Sequence, residues 1–422
     1  MGAEDARGAC AFEILFAKSV PHILEKIFLS LDYESFKNCV EVSNIWNDLL
    51  TSASYQMKGK LVFQDEILKD GEKLHEVSGE GLINKVKRLL SSGMVDINNV
   101  MCHKWMRWAQ VTPLLEATEN GYIDVIRLLL KKGADPDKGD YLGRTPLCRA
   151  SNNCDIYVVK ALLDLGANPD VANKLGFTPL HIAAEGGSKK LVQCLLNGGA
   201  ELEKADNQGY TALHVAAKYG RNKVVTFLLD HGADPHKATK SGKTPLYIAA
   251  WKDLDVVKTL LDRGAELEKA DNEGYMPLHV AAKFGRNEVV TFLLDQGADP
   301  QKATKSGKTP LYIAARKDHN DVVKTLLERG AELKKADNEG YTPLHAAAFH
   351  GSNKVVKYLL DQGADPNKAT KSGKTPLDSA ARKEHDDVVK TLLDRGAMGG
   401  MWLSLCGCQY ISCYMCASLA HM

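Results

Sequence analysis

From Thr112 onward the sequence keeps returning to itself. The triplet Thr-Pro-Leu, or a near copy, begins at Thr112, Thr145, Thr178, Thr211, Thr244, Met276, Thr309, Thr342 and Thr375, so successive copies stand 33 residues apart, with one interval of 32 between Thr244 and Met276. A fixed period constrains the fold more than composition does, because it asks for one supersecondary unit per period. A unit this short cannot bury an apolar face alone, so the units must stack and cover one another. The short interval has a local cause. ARKDHNDVVKTLL in one copy reads AWKDLDVVKTLL in another, with one residue missing before the second helix.

Each unit reads as helix, turn, helix and loop. In GFTPLHIAAEGGSKKLVQCLLNGGAELEKAD, Thr178 suits an N-cap, where its hydroxyl accepts an orphan backbone N–H, and Pro179 suits the first helical position, where a missing N–H costs nothing. Ala183 and Ala184 are small enough for a second helix to approach closely. Leu191, Val192, Leu195 and Leu196 recur at helical spacing as that helix's buried face, and Gly198 or Gly199 ends it.

These features resemble the ankyrin repeat, whose signature is T-P-L-H-x-A at a period of 33. The matching stretches are TPLHIA at 178–183, TALHVA at 211–216, MPLHVA at 276–281 and TPLHAA at 342–347, together with the GADP turns at Gly133, Gly232, Gly297 and Gly363. Nine clear units occupy residues 110–397. A degenerate one, LHEVSGEGLINKVKRLLSSGMVDIN, precedes them within 71–109, and the surplus VMCHKWMRWAQ reads as a long finger loop that buries Trp105 and Trp108 against the neighbouring repeat. The resemblance implies an all-α solenoid of about ten helix-turn-helix units with β-hairpin-like finger loops.

A second period lies over the first. Residues 210–274 are repeated almost word for word at 275–340 and 341–397, so pairs of repeats were duplicated. Fingers read alternately KATKSGK (237–243, 302–308, 368–374) and KADNQGY or KADNEGY (204–210, 269–275, 335–341), which predicts basic tips alternating with tips that bear an acid and an aromatic. In ankyrin proteins the residue after the finger glycine and the residue after the paired alanines commonly face a concave groove. By that resemblance the groove candidates are Tyr210, Lys218, Lys243, Trp251, Tyr275, Lys283, Lys308, Arg316, Tyr341, Phe349 and Lys374. The groove is then mildly acidic early (Glu119, Asn152, Glu185), and basic and aromatic late. Such a surface suits an acidic protein segment. It suits nucleic acid less, because acids interrupt the lysines and no base-reading motif is present. A solvated face of a recent duplication, with no partner, is the competing reading.

One apolar stretch, Ser19 to Leu50, has no second copy. Val20, Leu24, Ile27, Phe28 and Leu31 share one helical face behind Ser19 and Pro21; Asp32 can cap a second helix, and a third carries Val42, Ile45, Trp46, Leu49 and Leu50. Three helices this short make a poor independent core and imply a docking surface. The segment VPHILEKIFLSLDYESFKNCVEVSNIW resembles the F-box, with Val20 where Leu is more usual and Asn44-Ile45 in place of the common basic pair before Trp46. The resemblance implies a three-helix module at 19–58 between an extension (1–18) and a linker (59–70). It would bind a Skp-type adaptor of a cullin-based ubiquitin ligase through Pro21, Leu24, Ile27, Phe28, Leu31 and Trp46. A helical cap over the first repeat is the alternative.

The remaining features exclude more than they assign. Lys plus Arg is 54 against 53 for Asp plus Glu, a net charge of +1 that gives no general pull toward nucleic acid or anionic lipid. Six scattered cysteines and an N-terminus lacking a signal-peptide pattern point to the cytoplasm or nucleus. The apolar tail at 398–422 carries Cys406, Cys408, Cys413 and Cys416, a spacing too irregular for a zinc site; it brings in a membrane only if it is lipidated, and a disordered or mispredicted coding end is a further reading. The recurrent histidines His181, His214, His279 and His345 occupy one slot in successive repeats and form no metal cluster. No phosphate-loop, zincin or nucleophile-elbow motif appears, so the sequence predicts no enzyme and no cofactor. Together the two resemblances imply a non-catalytic adaptor that holds a protein substrate in its groove and a ubiquitin ligase at its N-terminus. A plain scaffold, tethered or not through its tail, is the alternative.

Overall fold

The computed structural model describes residues 73–91, 95–102 and 110–398. The expected docking residues Pro21, Leu24, Ile27, Phe28, Leu31 and Trp46 lie outside them, as do Trp105, Trp108 and the tail cysteines. The chain divides into two compact units, Met1–Pro179 with Cys194–Ala200, and Leu180–Gln193 with Glu201–Met422.

In the first unit, helical residues 73–79 and the helix Ile83–Ser91 form the degenerate repeat, with Leu74, Val77 and Val86 buried. Its Leu74-His75 stands where later copies carry Leu-His, and His75 Nε2 lies 3.0 Å from the carbonyl of Asn99. The long finger is anchored by an antiparallel pair, Met101–Cys102 with Gln110–Val111. Two helical hairpins follow, Pro113–Glu119 with Ile123–Lys131 and Pro146–Asn152 with Ile156–Asp164. First helix packs on first helix and second on second. The helices Pro179–Gly186 and Lys189–Asn197 contribute residues to both units.

The second unit continues the scheme through first helices Ala212–Lys218, Pro245–Ala249, Pro277–Lys283, Pro310–Arg316, Pro343–Phe349 and Pro376–Ala381. Their partners are Asn222–Asp230, Leu254–Asp262, Asn287–Asp295, Asn320–Glu328, Asn353–Asp361 and Asp386–Asp394. The apolar face of every second helix is two valines followed by a leucine, as in Val289, Val290 and Leu293 or Val355, Val356 and Leu359, all at most 2% exposed. At 189–197, Leu191, Val192 and Leu195 are buried as the periodicity predicts, whereas Leu196 is only half-buried. Both adjacent glycines have work to do. Gly199 adopts φ +90°, and a Cβ on Gly198 would come within 2.7 Å of Leu163.

Threonine caps start six of the described first helices, whereas the Thr211 hydroxyl meets His214 Nδ1 at 2.9 Å. The hydroxyls of Thr112, Thr145, Thr244, Thr309, Thr342 and Thr375 each accept the backbone N–H three residues on. Met276 occupies the same extended backbone position (φ −108°, ψ 168°) with no hydroxyl to offer. Met276→Thr is therefore expected to raise stability by about 1 kcal/mol, the ordinary worth of such a cap, read as a higher urea midpoint at unchanged slope.

The missing residue of the short copy is identified by backbone conformation. Between the two helices of other repeats one residue is left-handed, for example Gly285 (φ 67°), Asp318 (φ 61°) or Gly351 (φ 72°). The turn after Pro245–Ala249 has no such residue, and Asp253 caps the following helix instead, its Oδ1 accepting the N–H groups of Asp255 and Val256.

The fingers depart from expectation. Apart from the pair at 101–102 and 110–111, the described fingers contain no β-strand; they are tight turns. Asp206, Asp271 and Asp337 turn inward, where Oδ1 accepts the N–H groups two and four residues on at 2.8–3.0 Å. Thr239, Thr304 and Thr370 hold the alternate fingers through the N–H groups of Lys243, Lys308 and Lys374. One oxygen of the aspartate expected at the tip is thus engaged within the turn. Neighbouring fingers join through one backbone bond each: Lys240 N–H to Gln208, Asn272 to Ser241, Lys305 to Glu273, Asn338 to Ser306 and Lys371 to Glu339.

Candidate partner-binding groove

The second unit presents the candidate groove, and its side chains are positioned by how repeats are pinned together. In the histidine slot the backbone N–H groups of Thr211, Met276 and Thr342 donate to Nδ1 of His214, His279 and His345. Each ring must therefore be neutral with its proton on Nε2, which donates onward to the carbonyls of Lys243, Lys308 and Lys374 in the next finger at 3.1–3.2 Å. His181 reaches Tyr210 O in the same way, at 2.8 Å. Burial, only partly offset by these bonds, lowers the basicity of all four, that of His214 and His279 to about 4.

In the intervening repeats Tyr247 and Tyr312 take the histidine's place. The phenols face the carboxylates of Asp271 and Asp337 in the following finger, and burial first, then those carboxylates, pushes both upward, Tyr312 to about 12. Nothing in the sequence reading flagged them, although Tyr and His at one slot of a duplicated pair is a visible signal. Tyr312 is 8% exposed and forms a buried cluster with Ile313 and Ala346, against which Tyr275 and Tyr341 pack.

The residues expected at the groove fall into two classes. Those after the finger glycine, Tyr210, Lys243, Tyr275, Lys308, Tyr341 and Lys374, are all half-buried. The tyrosines pack edge-on against His214, His279 and His345, with centroids 5.6–5.9 Å apart, while Lys243 and Lys308 lie over the rings of Tyr247 and Tyr312 at 5.9 Å. Those after the paired alanines are more open. Lys283, Arg316 and Trp251 are exposed, and Lys218 and Phe349 half-buried. Trp251 packs edge-on against the exposed Phe284 at 5.7 Å. In the first unit the expected acidity is compensated, since Arg149 binds Glu119 at 2.9 Å and Asp140 at 2.8 Å.

Five of the expected residues meet in one place. Lys308, Arg316, Tyr341, Phe349 and Lys374 line a pocket of about 370 Å³ together with Tyr312, His350, Asp378, Ser379 and Arg382. Tyr210, Lys218, Lys243, Trp251, Tyr275 and Lys283 stand on earlier repeats and are not part of it. Arg316 Nε donates to His350 Nε2 at 3.1 Å, and Lys383 lies 4.9 Å over the Phe349 ring. Asp337 and Glu339 also contribute, so the lining carries four cationic groups and three carboxylates. Two of those carboxylates are engaged: Asp337 in its turn, and Asp378, whose Oδ2 accepts from Thr375 N and Oγ1 at 2.8 and 2.9 Å. Glu339 is the exposed one. Asp378 occupies the histidine slot of the last repeat. Its Oδ1 is buried without a hydrogen-bond partner among the described residues.

Among the described residues no cluster of His, Cys, Asp or Glu is placed to hold a metal, and no helix is long and apolar enough to cross a membrane. The family model for ankyrin repeats in three copies matches residues 74–173, 149–239, 265–337 and 331–399, and that for a single ankyrin repeat matches 241–272. The chain belongs to the ankyrin-repeat family. No curated protein matches it. The match from residue 74 includes the degenerate first copy, where His75 keeps the pinning role seen in the later ankyrin repeats. Ankyrin repeats are scaffolds for protein–protein interaction, and their all-helical fold is typically non-catalytic. The arrangement therefore offers recognition surface, with its buried slot histidines committed to holding repeats together.

Proposed function

We propose that this ankyrin protein is a non-catalytic adaptor of the cytoplasm or nucleus. Its groove holds an acidic protein segment, and its N-terminal module recruits a Skp-type adaptor of a cullin-based ubiquitin ligase, so that the chain supplies proximity and orientation while other subunits supply chemistry. The observation that supports the groove is the convergence of Lys308, Arg316, Lys374 and Arg382 around Tyr341 and Phe349, a set of cations and aromatic rings suited to carboxylate-bearing partners. The reading of 19–58 rests on its F-box-like sequence, with Pro21, Leu24, Ile27, Phe28, Leu31 and Trp46 as contacts.

A pull-down of the full-length chain with a purified Skp-type adaptor tests the ligase half. Binding is expected for the natural sequence and loss of binding for Leu24→Asp with Ile27→Asp, while the helical circular dichroism of the repeats is unchanged. Failure of the natural, folded chain to bind leaves a plain ankyrin scaffold. A Leu24→Asp/Ile27→Asp chain whose repeats loosen assigns those residues to a cap on the array.

A further inference from the structure

The pocket exists because one copy of the duplicated pair differs from its predecessor. Within PLYIAAR (310–316), Tyr312 and Ile313 fill the space beside the next finger and are 8% and 5% exposed. The last copy reads PLDSAAR (376–382), with Asp378 and Ser379 in their places. An aromatic ring and a branched aliphatic chain are thereby replaced by two short side chains, and Tyr312, Tyr341, Asp378 and Ser379 all line the pocket. The protein thus displays what such a space accepts. One pair earlier it holds a phenol ring, in a cluster against which Tyr275 and Tyr341 pack. Asp378 does not present its charge to the opening, because it is 7% exposed and tied to Thr375. The rim is cationic, with Arg316 and Arg382 exposed and Lys308 and Lys374 half-buried, against the exposed carboxylate of Glu339.

We propose that this pocket between residues 308 and 382 takes one aromatic side chain of a partner protein, flanked on its own chain by carboxylates that meet the rim arginines. The aromatic ring sets the register, and the carboxylates set orientation and association rate. The inference deepens the groove reading above and rests on it.

The test is fluorescence anisotropy with the full-length chain and a labelled peptide, Ser-Glu-Glu-Tyr-Glu-Glu-Ser, beside versions with alanine for tyrosine or glutamine for every glutamate. The tyrosine peptide is expected to bind about tenfold more tightly than the alanine peptide, the scale of burying one ring. Asp378→Tyr with Ser379→Ile restores the residues of the preceding copy, so the helix accepts them, and is expected to reduce that preference to less than twofold. Ser379→Ile alone reports the same filling should the double variant fail to fold. Equal binding of tyrosine and alanine peptides, with loss only for the glutamine peptide, overturns the aromatic pocket and leaves the acidic-segment groove standing. No binding of any peptide overturns both. A full-length variant with Trp402→Ser, Tyr410→Ser and Tyr414→Ser should bind the tyrosine peptide as the natural chain does. A gain in affinity there would assign the pocket to the protein's own tail and overturn the proposal.

Discussion

Stability should fall steeply between pH 6.5 and pH 4, well before most carboxylates protonate. His214 and His279 accept a backbone N–H at Nδ1 and are held at about 4 by burial, against 6.5 for a free imidazole. Between those values the unfolded chain binds protons that the folded chain refuses, so the contribution of each ring is complete above about pH 6.5 and is lost as pH falls toward 4. The loss is about 2 kcal/mol per ring by pH 5 and about 3 kcal/mol by pH 4. His181 and His345, shifted in the same direction for the same reason, add to it. Urea midpoints at a series of pH values would show the slope. The decisive comparison is with His214→Gln/His279→Gln, which should be less stable at pH 7 and approach the natural chain as pH falls to 4.5. A constant gap would mean that the two rings do not titrate with unfolding.

Leu293→Ala and Leu392→Ala remove the same atoms from equivalent helical positions, each fully buried. Each is expected to cost about 3 kcal/mol locally. Their global effects should differ, because in the second unit each repeat packs mainly on its neighbours. Leu293 belongs to Asn287–Asp295 in the middle of that unit, and its loss should split urea unfolding into two steps or lower the whole transition. Leu392 belongs to the last described helix, Asp386–Asp394, and its loss should fray that hairpin while the main transition holds. Hydrogen exchange resolved by segment would separate the two outcomes; identical behaviour would show that the unit melts as one cooperative body.

The helices, their threonine starts and the deleted residue of the short copy were all legible, because each arises from patterns within one repeat. The histidine slot was recognised as structural for the same reason. What escaped depends on side-chain geometry, partly within a finger and partly between residues of neighbouring repeats. No local rule says that Asp271 faces Tyr247, that Lys308 lies over Tyr312, or that Glu119 is neutralised by Arg149. Asp206, Asp271 and Asp337 read as tip charges, yet the turn needed their oxygens more than solvent did. The pocket was half legible: five of its lining residues were named through the ankyrin resemblance, whereas the part played by Asp378 and Ser379 shows only when successive copies are compared.

The two pins also impose a syntax on the array. A histidine repeat is indifferent to the type of finger next to it, since it needs only a backbone carbonyl; the finger after His181 carries Asp206, and the finger after His214 carries Thr239. A tyrosine repeat is not indifferent, because its phenol faces an aspartate that the KADN fingers carry and the KATKSGK fingers lack, as Tyr247 does with Asp271 and Tyr312 with Asp337. Two tyrosine repeats in succession, or a tyrosine repeat at the end of the array, would leave a phenol without that carboxylate. In this chain no KADN finger follows the last KATKSGK repeat, and Asp378 stands in the slot that holds Tyr247 and Tyr312 in the earlier copies. Growth by copying whole pairs obeys this syntax automatically. Copying a tyrosine repeat alone breaks it, so lineages of such arrays should lengthen in steps of two.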